Sequence, residues 1–439
     1  MRMGNHRKQA ALLSLLAPGL GQIYNKQFIK GLLFLCIDAF GLYYFIANLG
    51  HALWGLATLG ETPSKFEKVG KKVVNVAGDH SIYLLIGGLI TVLALLIFIA
   101  FYIYAVKDAY DMGKLREKGG KAPSFRKNIA SLMDKNFPQV LLTVPAIGIL
   151  FLTIMPIIFM VLLAFTNYSS PEYVPPMKLV SWVGFDTFIN LMQLKSWSRT
   201  FFGVLQWTVI WAVIATVTTY FGGMFVAIVI QQAGIRFKTL WRTIFIIPYA
   251  IPQLISLLVM RNMFNGQFGP INQYLGYFGL EKLPWLTDPF WAKVTVIIVN
   301  MWVGIPVSMV LILGVLTAIP KDLYEAAEID GASPLMKFKS ITLPYILFTT
   351  VPILIMQFAG NINNFNVIFL LTNGDPVNGN YQYAGSTDLL VTWLFKLTLN
   401  NNKYNMASAV GIIIFLIIAS LSIWSYSRSR SFKEEDMIR

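Results

Sequence analysis

Long apolar runs separated by short polar stretches dominate the chain. Eight of them, at about 31–49, 82–106, 140–165, 204–230, 240–260, 294–315, 346–371 and 407–424, lie near the ~20 apolar residues that a helix needs to cross hydrocarbon. The pattern predicts an all-α polytopic membrane protein with about eight transmembrane helices. A shorter apolar segment at 10–17 follows Arg2, Arg7 and Lys8 in the manner of a signal peptide. Pro18-Gly19 and the polar patch at 22–26 cut it short, and no small-residue cleavage site follows. It reads as a retained interfacial or half-membrane segment.

The polar stretches organise the spans. A basic, Gly-containing linker at 107–135 divides an N-terminal membrane region (1–120, two spans) from a six-span core (137–430). Within the core, residues 320–344 form a polar island around YEAAEIDGASPLMKFKSITLPY. Pro320 suits a first helical turn, and Leu323, Ala326 and Ala327 line one side of the helix that follows. Gly331 supplies a left-handed stop, Ser333-Pro334 an N-cap and first turn, and Pro344 restrains the exit. Two short helices meeting at a Gly-centred corner are predicted on one membrane face.

Composition supports lipid as the solvent: of 439 residues, 56% are hydrophobic and 13% charged, with mean hydropathy +0.61. The net charge of +14 is dealt out between apolar runs, which makes it a topology signal. The face carrying both termini, the linker and residues 320–344 holds nearly twice as many Lys and Arg as the other, so those parts are expected in the cytoplasm. The Lys65, Lys68, Lys71, Lys72 cluster opposes that assignment. The linker's charges suit anionic lipid headgroups, and Tyr110 and Phe125 are the only aromatics among them, so no nucleic acid is expected as a partner. Cys36 is the only cysteine, excludes an intramolecular disulfide, and reads as a small buried hydrophobe. His6, His51 and His80 lack metal-ligand spacing, and no metal site is expected. There is no Walker A loop, nucleophile elbow or carboxylate pair, so the chain is not expected to be an enzyme. The core spans hold no Asp/Glu pair to relay protons, which weighs against a secondary active transporter, the rival kept from a different class.

Candidate binding chemistry lies inside the spans. Gln357, Asn361, Asn363, Asn364 and Asn366 are costly there unless each amide finds a partner. At about 100° per residue, Gln357, Asn361 and Asn364 share a stripe, while Asn363 and Asn366 point elsewhere and are assigned mainly to helix–helix bonding. The stripe reads either as interhelical bonding or as a sugar site, because amides offer donors and acceptors to hydroxyls. A second candidate is Asn300-Met301-Trp302-Val303-Gly304-Ile305-Pro306, whose Gly and Pro loosen a helix; Trp302 reads equally as an interface anchor. Tyr249, between Pro248 and Pro252, is a third. Further on, Thr387-Asp388 could cap an amphipathic segment with Leu389, Leu390, Trp393, Leu394 and Leu397 on one face, lying flat on the outer surface or meeting an arriving protein.

The spacing Glu325-Ala326-Ala327, Asp330-Gly331-Ala332, Ile341, Leu343-Pro344 resembles the EAA loop of permease subunits in binding-protein-dependent ABC importers. From about 136 to 431, the strings FPQVLLTVPAIGILFLTIMPIIFMVLLAFTNYS, IIPYAIPQLISLLVMRNMFN, FGPIN, IIVNMWVGIP, NNFNVIFLLTNGDP and STDLLV resemble, in order, the larger membrane subunit of a maltose/maltodextrin-type importer. The string APGLGQIYNKQFIKG resembles the start of small two-helix membrane domains. The resemblance implies a type I ABC importer permease core in the cytoplasmic membrane. It further implies ATP-driven import of an oligosaccharide, maltodextrin first, or of another sugar or polyol. Glu325, Ala326, Ala327, Asp330 and Gly331 would couple the chain to an ATPase. The implied partners are a second homologous permease, two ATPase subunits that bind the ATP and Mg, and an extracytoplasmic sugar-binding protein. Matching motifs carries the family's pocket positions onto Tyr249, Asn300, Val303, Gly304, Val307, Gln357, Gly360 and Asn361. The family has aromatics where this chain has Val307 and Gly360, and a serine at Gln357, which implies a site of altered shape. At 169–197 the chain has only a short loop where the family carries a large extracytoplasmic domain.

Overall fold

A computed structural model describes residues 5–69, 72–134, 137–174, 178–232 and 234–428. Of the residues used for topology, Arg2, Lys71, Lys135, Arg430, Lys433 and Arg439 lie outside the described ones. Seven described helices are long and apolar enough to cross a membrane: Phe28–Thr58, Ser81–Glu117, Phe137–Ala164, Lys195–Gln231, Pro289–Ala318, Pro334–Leu371 and Tyr404–Ser427. The eighth expected run is a broken pair, Lys238–Ala250 and Gln253–Met263, bent by 91°. Pro252 forces Ile251 into extended backbone (φ −84°, ψ 131°), which no α-helix continues through. Among the described residues the all-α expectation holds apart from one hairpin in the charged loop, Lys65–Val69 paired antiparallel with Lys72–Val76. Its valines favour the pleated strand over a helix.

The chain divides into two compact units, Met1–Gly184 and Phe185–Arg439. The first contains the half-membrane segment, now two helices, His6–Leu16 and Leu20–Tyr24, folded back across a turn at Gly19 (φ +113°). A polar clasp fastens it to Ser81–Glu117. The Gln22 amide nitrogen donates to the Ala105 carbonyl (2.7 Å) and to Asp108 (3.1 Å), and Asn25 donates to the Ala109 carbonyl (2.8 Å). Lys30 pairs with Asp108 at 2.6 Å. Cys36, expected to be buried, is exposed on the Phe28–Thr58 helix, where a thiol is at home against hydrocarbon. The first core span, Phe137–Ala164, groups with this unit and carries a π-helical turn at Leu150–Ile154.

In the second unit, Lys195–Gln231 packs along Pro289–Ala318. Small residues permit the approach: a side chain on Gly223 would meet Ser308 and Met309, and one on Gly304 would meet Thr219. Near the other end, the short helix Leu390–Phe395 is surrounded by Trp197, Phe201 and Val204 from one helix and Met406 and Val410 from another. Leu389, Leu390, Trp393 and Leu397 are fully buried. The segment expected to lie flat on a surface is therefore interior, because its apolar face finds protein before it finds lipid.

Candidate functional site: the amide lattice and the polar corner

The amide stripe is a bonded lattice. Asn361 donates to Thr216 Oγ1 (2.9 Å), and its carbonyl oxygen accepts from the Trp211 indole at 3.0 Å. Gln357 donates to Thr219 Oγ1 (2.9 Å) and Ser308 Oγ (3.4 Å). Asn364 donates to Asn300 Oδ1 (3.2 Å) and Asn361 Oδ1 (3.4 Å). Three helices are thus stitched together, with Asn300 and Asn361 buried. The 346–371 run is also interrupted: Leu343–Ile362 ends, and Asn364 caps Phe365–Leu371, its side-chain Oδ1 accepting from the Val367 N–H. Asn366 bonds to Gln253 (3.0 Å), as expected of a linking residue. Asn363, expected to do the same, is exposed at the helix break. The break displaces it from the regular helical spacing on which that assignment rested.

The structure brings Asn300, Gly304, Gln357 and Asn361 into this lattice, Gly304 through its contact with Thr219. Val307 and Gly360 face outward, and nothing lies within 4 Å of a side chain added at Gly360. Val303 packs partly buried against the core. Tyr249 is 67% exposed, one residue before the broken pair's first helix ends. Sequence reasoning missed the hydroxyl partners Thr216, Thr219 and Ser308. Thr219 also bonds its own helix, to the Ala215 carbonyl at 2.6 Å, and so looks like any satisfied helical threonine.

The polar island folds as its residues predict. Lys321–Ile329 ends in a left-handed Gly331 (φ +74°), with the Ala332 N–H closing back on the Ala327 carbonyl at 2.9 Å. Ser333 caps Pro334–Lys337 by accepting from the Met336 N–H (3.3 Å). Lys337 spans the corner to Glu328 (2.6 Å), and Tyr324 shares a hydrogen bond with Thr342 (2.8 Å). No residue of either short helix is buried. Ile329 (88%), Leu335 (61%) and Met336 (57%) stand uncovered beside the exposed Glu325, Ala326 and Asp330, with Ala327 partly covered.

A polytopic helical core with a stitched polar interior and a bare corner where two spans meet is an architecture that suits a transport permease. Residues 220–431 match the binding-protein-dependent transport system inner membrane components. Over 434 residues the chain is 40% identical to the galactooligosaccharides transport system permease protein GanP of Bacillus subtilis, covering 98% of this chain and 99% of that protein. It is 38% identical over 444 residues to the maltodextrin transport system permease protein MdxF of the same organism, covering 98% of each. A subunit of a bacterial alginate ABC transporter, solved in complex with an alginate pentasaccharide-bound periplasmic protein, shares the fold with TM-score 0.58 at 22% identity, over 69% of this chain and 97% of that one. The chain belongs to the family of binding-protein-dependent ABC importer permeases. It is a multi-pass cell-membrane subunit, and ATP hydrolysis is the work of partner ATPases.

Proposed function

We propose that the chain carries a neutral oligosaccharide inward, maltodextrin or a galactooligosaccharide first, another sugar or a polyol second. One observation carries the substrate class. Within 204–231, 294–318 and 340–371 there is no Asp, Glu, Lys, Arg or His, so every polar side chain of the stitched core is uncharged, an amide, a hydroxyl or the Trp211 indole. A charged substrate would need a counter-ion at that depth, whereas sugar hydroxyls match neutral donors and acceptors. The near full-length likeness to two oligosaccharide permeases supports the same reading.

In this proposal Tyr249, Val303, Val307 and Gly360 face the sugar path, and Gln357, Asn300, Asn361 and Gly304 hold the wall behind them. The corner, with Glu325, Ala326, Ala327, Asp330 and Gly331, docks on an ATPase subunit. The assembly adds a second homologous permease, two ATPase subunits holding ATP and Mg, and an extracytoplasmic sugar-binding protein, all set in membrane lipid. No nucleic acid or metal takes part through this chain. Eight crossings, counting the broken pair as one, keep both termini in the cytoplasm with the corner. In a Cys36→Ser background, a cysteine at Ser124 should resist an impermeant thiol reagent in intact cells while one at Asn380 reacts. The reverse pattern contradicts the orientation. The function is tested by uptake of radiolabelled maltotriose and galactobiose in cells with and without the ATPase. ATP-dependent accumulation of either supports it. Accumulation that survives loss of the ATPase and collapses with the proton gradient would favour a secondary transporter.

A further inference from the structure

We propose that a polar pocket at the outer end of the second unit receives a carboxylate side chain of the extracytoplasmic sugar-binding protein, with Lys293 as its counter-charge. The proposal rests on the functional reading and orientation above. The cavity, of about 240 Å³, lies among the N-terminal part of Lys195–Gln231, the start of Pro289–Ala318 and the loop before Leu390–Phe395. Trp207, Lys293, Asn378, Tyr381 and Ser386 line it. The Lys293 ammonium sits over the Trp207 ring, 4.7 Å from its centroid, and has no carboxylate in ion-pair range among the described residues.

The pocket's own acid is already consumed. Asp388 accepts from Lys396 Nζ (2.7 Å), the Thr392 hydroxyl (2.8 Å) and the Gly385 N–H (2.7 Å). Burial pushes its carboxyl up, while Lys396 and the Gly385 N–H favour the charged form. The pocket therefore presents an uncompensated cation. Its walls are also rigid. The Trp207 indole donates to the Thr387 carbonyl (3.2 Å), Thr372 and Thr387 share a hydrogen bond (2.8 Å), and the Gln382 N–H donates to Thr200 Oγ1 (2.7 Å). Such a site loses little freedom when it is filled.

Size and chemistry select the occupant. The cation covers the Trp207 face, which removes the stacking platform that a sugar ring would use. The volume suits one side chain, and Val377, 81% exposed on the rim, offers an apolar contact to the surface around it. A carboxylate would form a charge-assisted bond to Lys293 and accept from the Asn378 amide or Ser386 hydroxyl.

The test uses the whole complex in phosphatidylcholine nanodiscs and the sugar-loaded binding protein as titrant, with stimulated ATP hydrolysis as the readout. Lys293→Glu should raise the half-saturating concentration by about tenfold or more. Lys293→Gln should shift it in the same direction by less, and Lys293→Arg should stay near the unsubstituted value. A carbodiimide should join Lys293 to an Asp or Glu of the binding protein. Unchanged half-saturation in assembled Lys293→Glu complex overturns the proposal. So does a shift seen only in phosphatidylglycerol discs, which would make this a lipid-headgroup site. If the unsubstituted complex is not stimulated at all, the functional reading fails first and takes this proposal with it.

Discussion

Two short amphipathic helices, Lys321–Ile329 at the corner and Leu390–Phe395 beyond the last loop, read alike from sequence and end in opposite circumstances. The second buries Leu390 and Trp393 in the protein, with Trp393 at 0% exposure and its indole bonded to the Gln382 carbonyl at 3.0 Å. The first buries nothing: its own Ile329 lies open, as does Leu335 across the corner. An apolar face becomes interior when neighbouring helices are long enough to enclose it, and stays open when the chain offers nothing to cover it. The corner is held in shape by its own backbone, so it keeps its form without being packed.

The sharpest way to break this contrast is truncation. Trp393→Ala should cost about 3–5 kcal/mol and lower the thermal unfolding midpoint in detergent, because the enclosed site cannot collapse. Leu335→Ala should change that midpoint by no more than about 0.5 kcal/mol equivalent. Equal losses in the two variants would mean that the corner is packed after all.

A smaller effect is expected at Gly331. A side chain there meets nothing within 4 Å, so Gly331→Val acts through the positive φ alone, at about 1–3 kcal/mol. Uptake per assembled complex should fall, and Gly331→Asn should recover much of it, since Asn tolerates the left-handed region. Equal damage from Asn and Val would point to a steric cause.

The smallest effect tests the stitched core. Asn361→Ala should destabilise the detergent-purified subunit by about 0.5–1.5 kcal/mol, through the lost bond to Thr216 and the exposed need of Asn364. Val307→Trp, on the outward face, should leave stability nearly unchanged and alter which sugars are taken up. A stability loss from Val307→Trp with unaltered uptake would place the sugar path elsewhere.

What the sequence disclosed follows the range of the interactions. The corner was legible because Gly331, Ser333 and Pro334 act on their own backbone. The amide stripe was half legible: periodicity aligned Gln357 with Asn361, but their partners are threonines and a serine on helices 49–145 residues away. The N-terminal clasp was invisible for the same reason, since Gln22 and Asn25 bond to atoms 83–86 residues on. The 91° break was also hidden, because Pro306 and Pro352 sit inside continuous helices and Pro252 carries no mark to distinguish it. Burial of Leu390–Phe395 depends on neighbours from two other helices, which no local pattern encodes.

The uncovered corner is proposed to be where this permease meets its ATPase. The most direct measurement is the amount of ATPase that co-purifies with affinity-tagged permease carrying Ile329→Asp and Leu335→Asp together. The doubly substituted chain should reach the membrane at normal levels, keep its thermal midpoint and the second permease, and lose most of the ATPase. Full retention of the ATPase with normal uptake would contradict it.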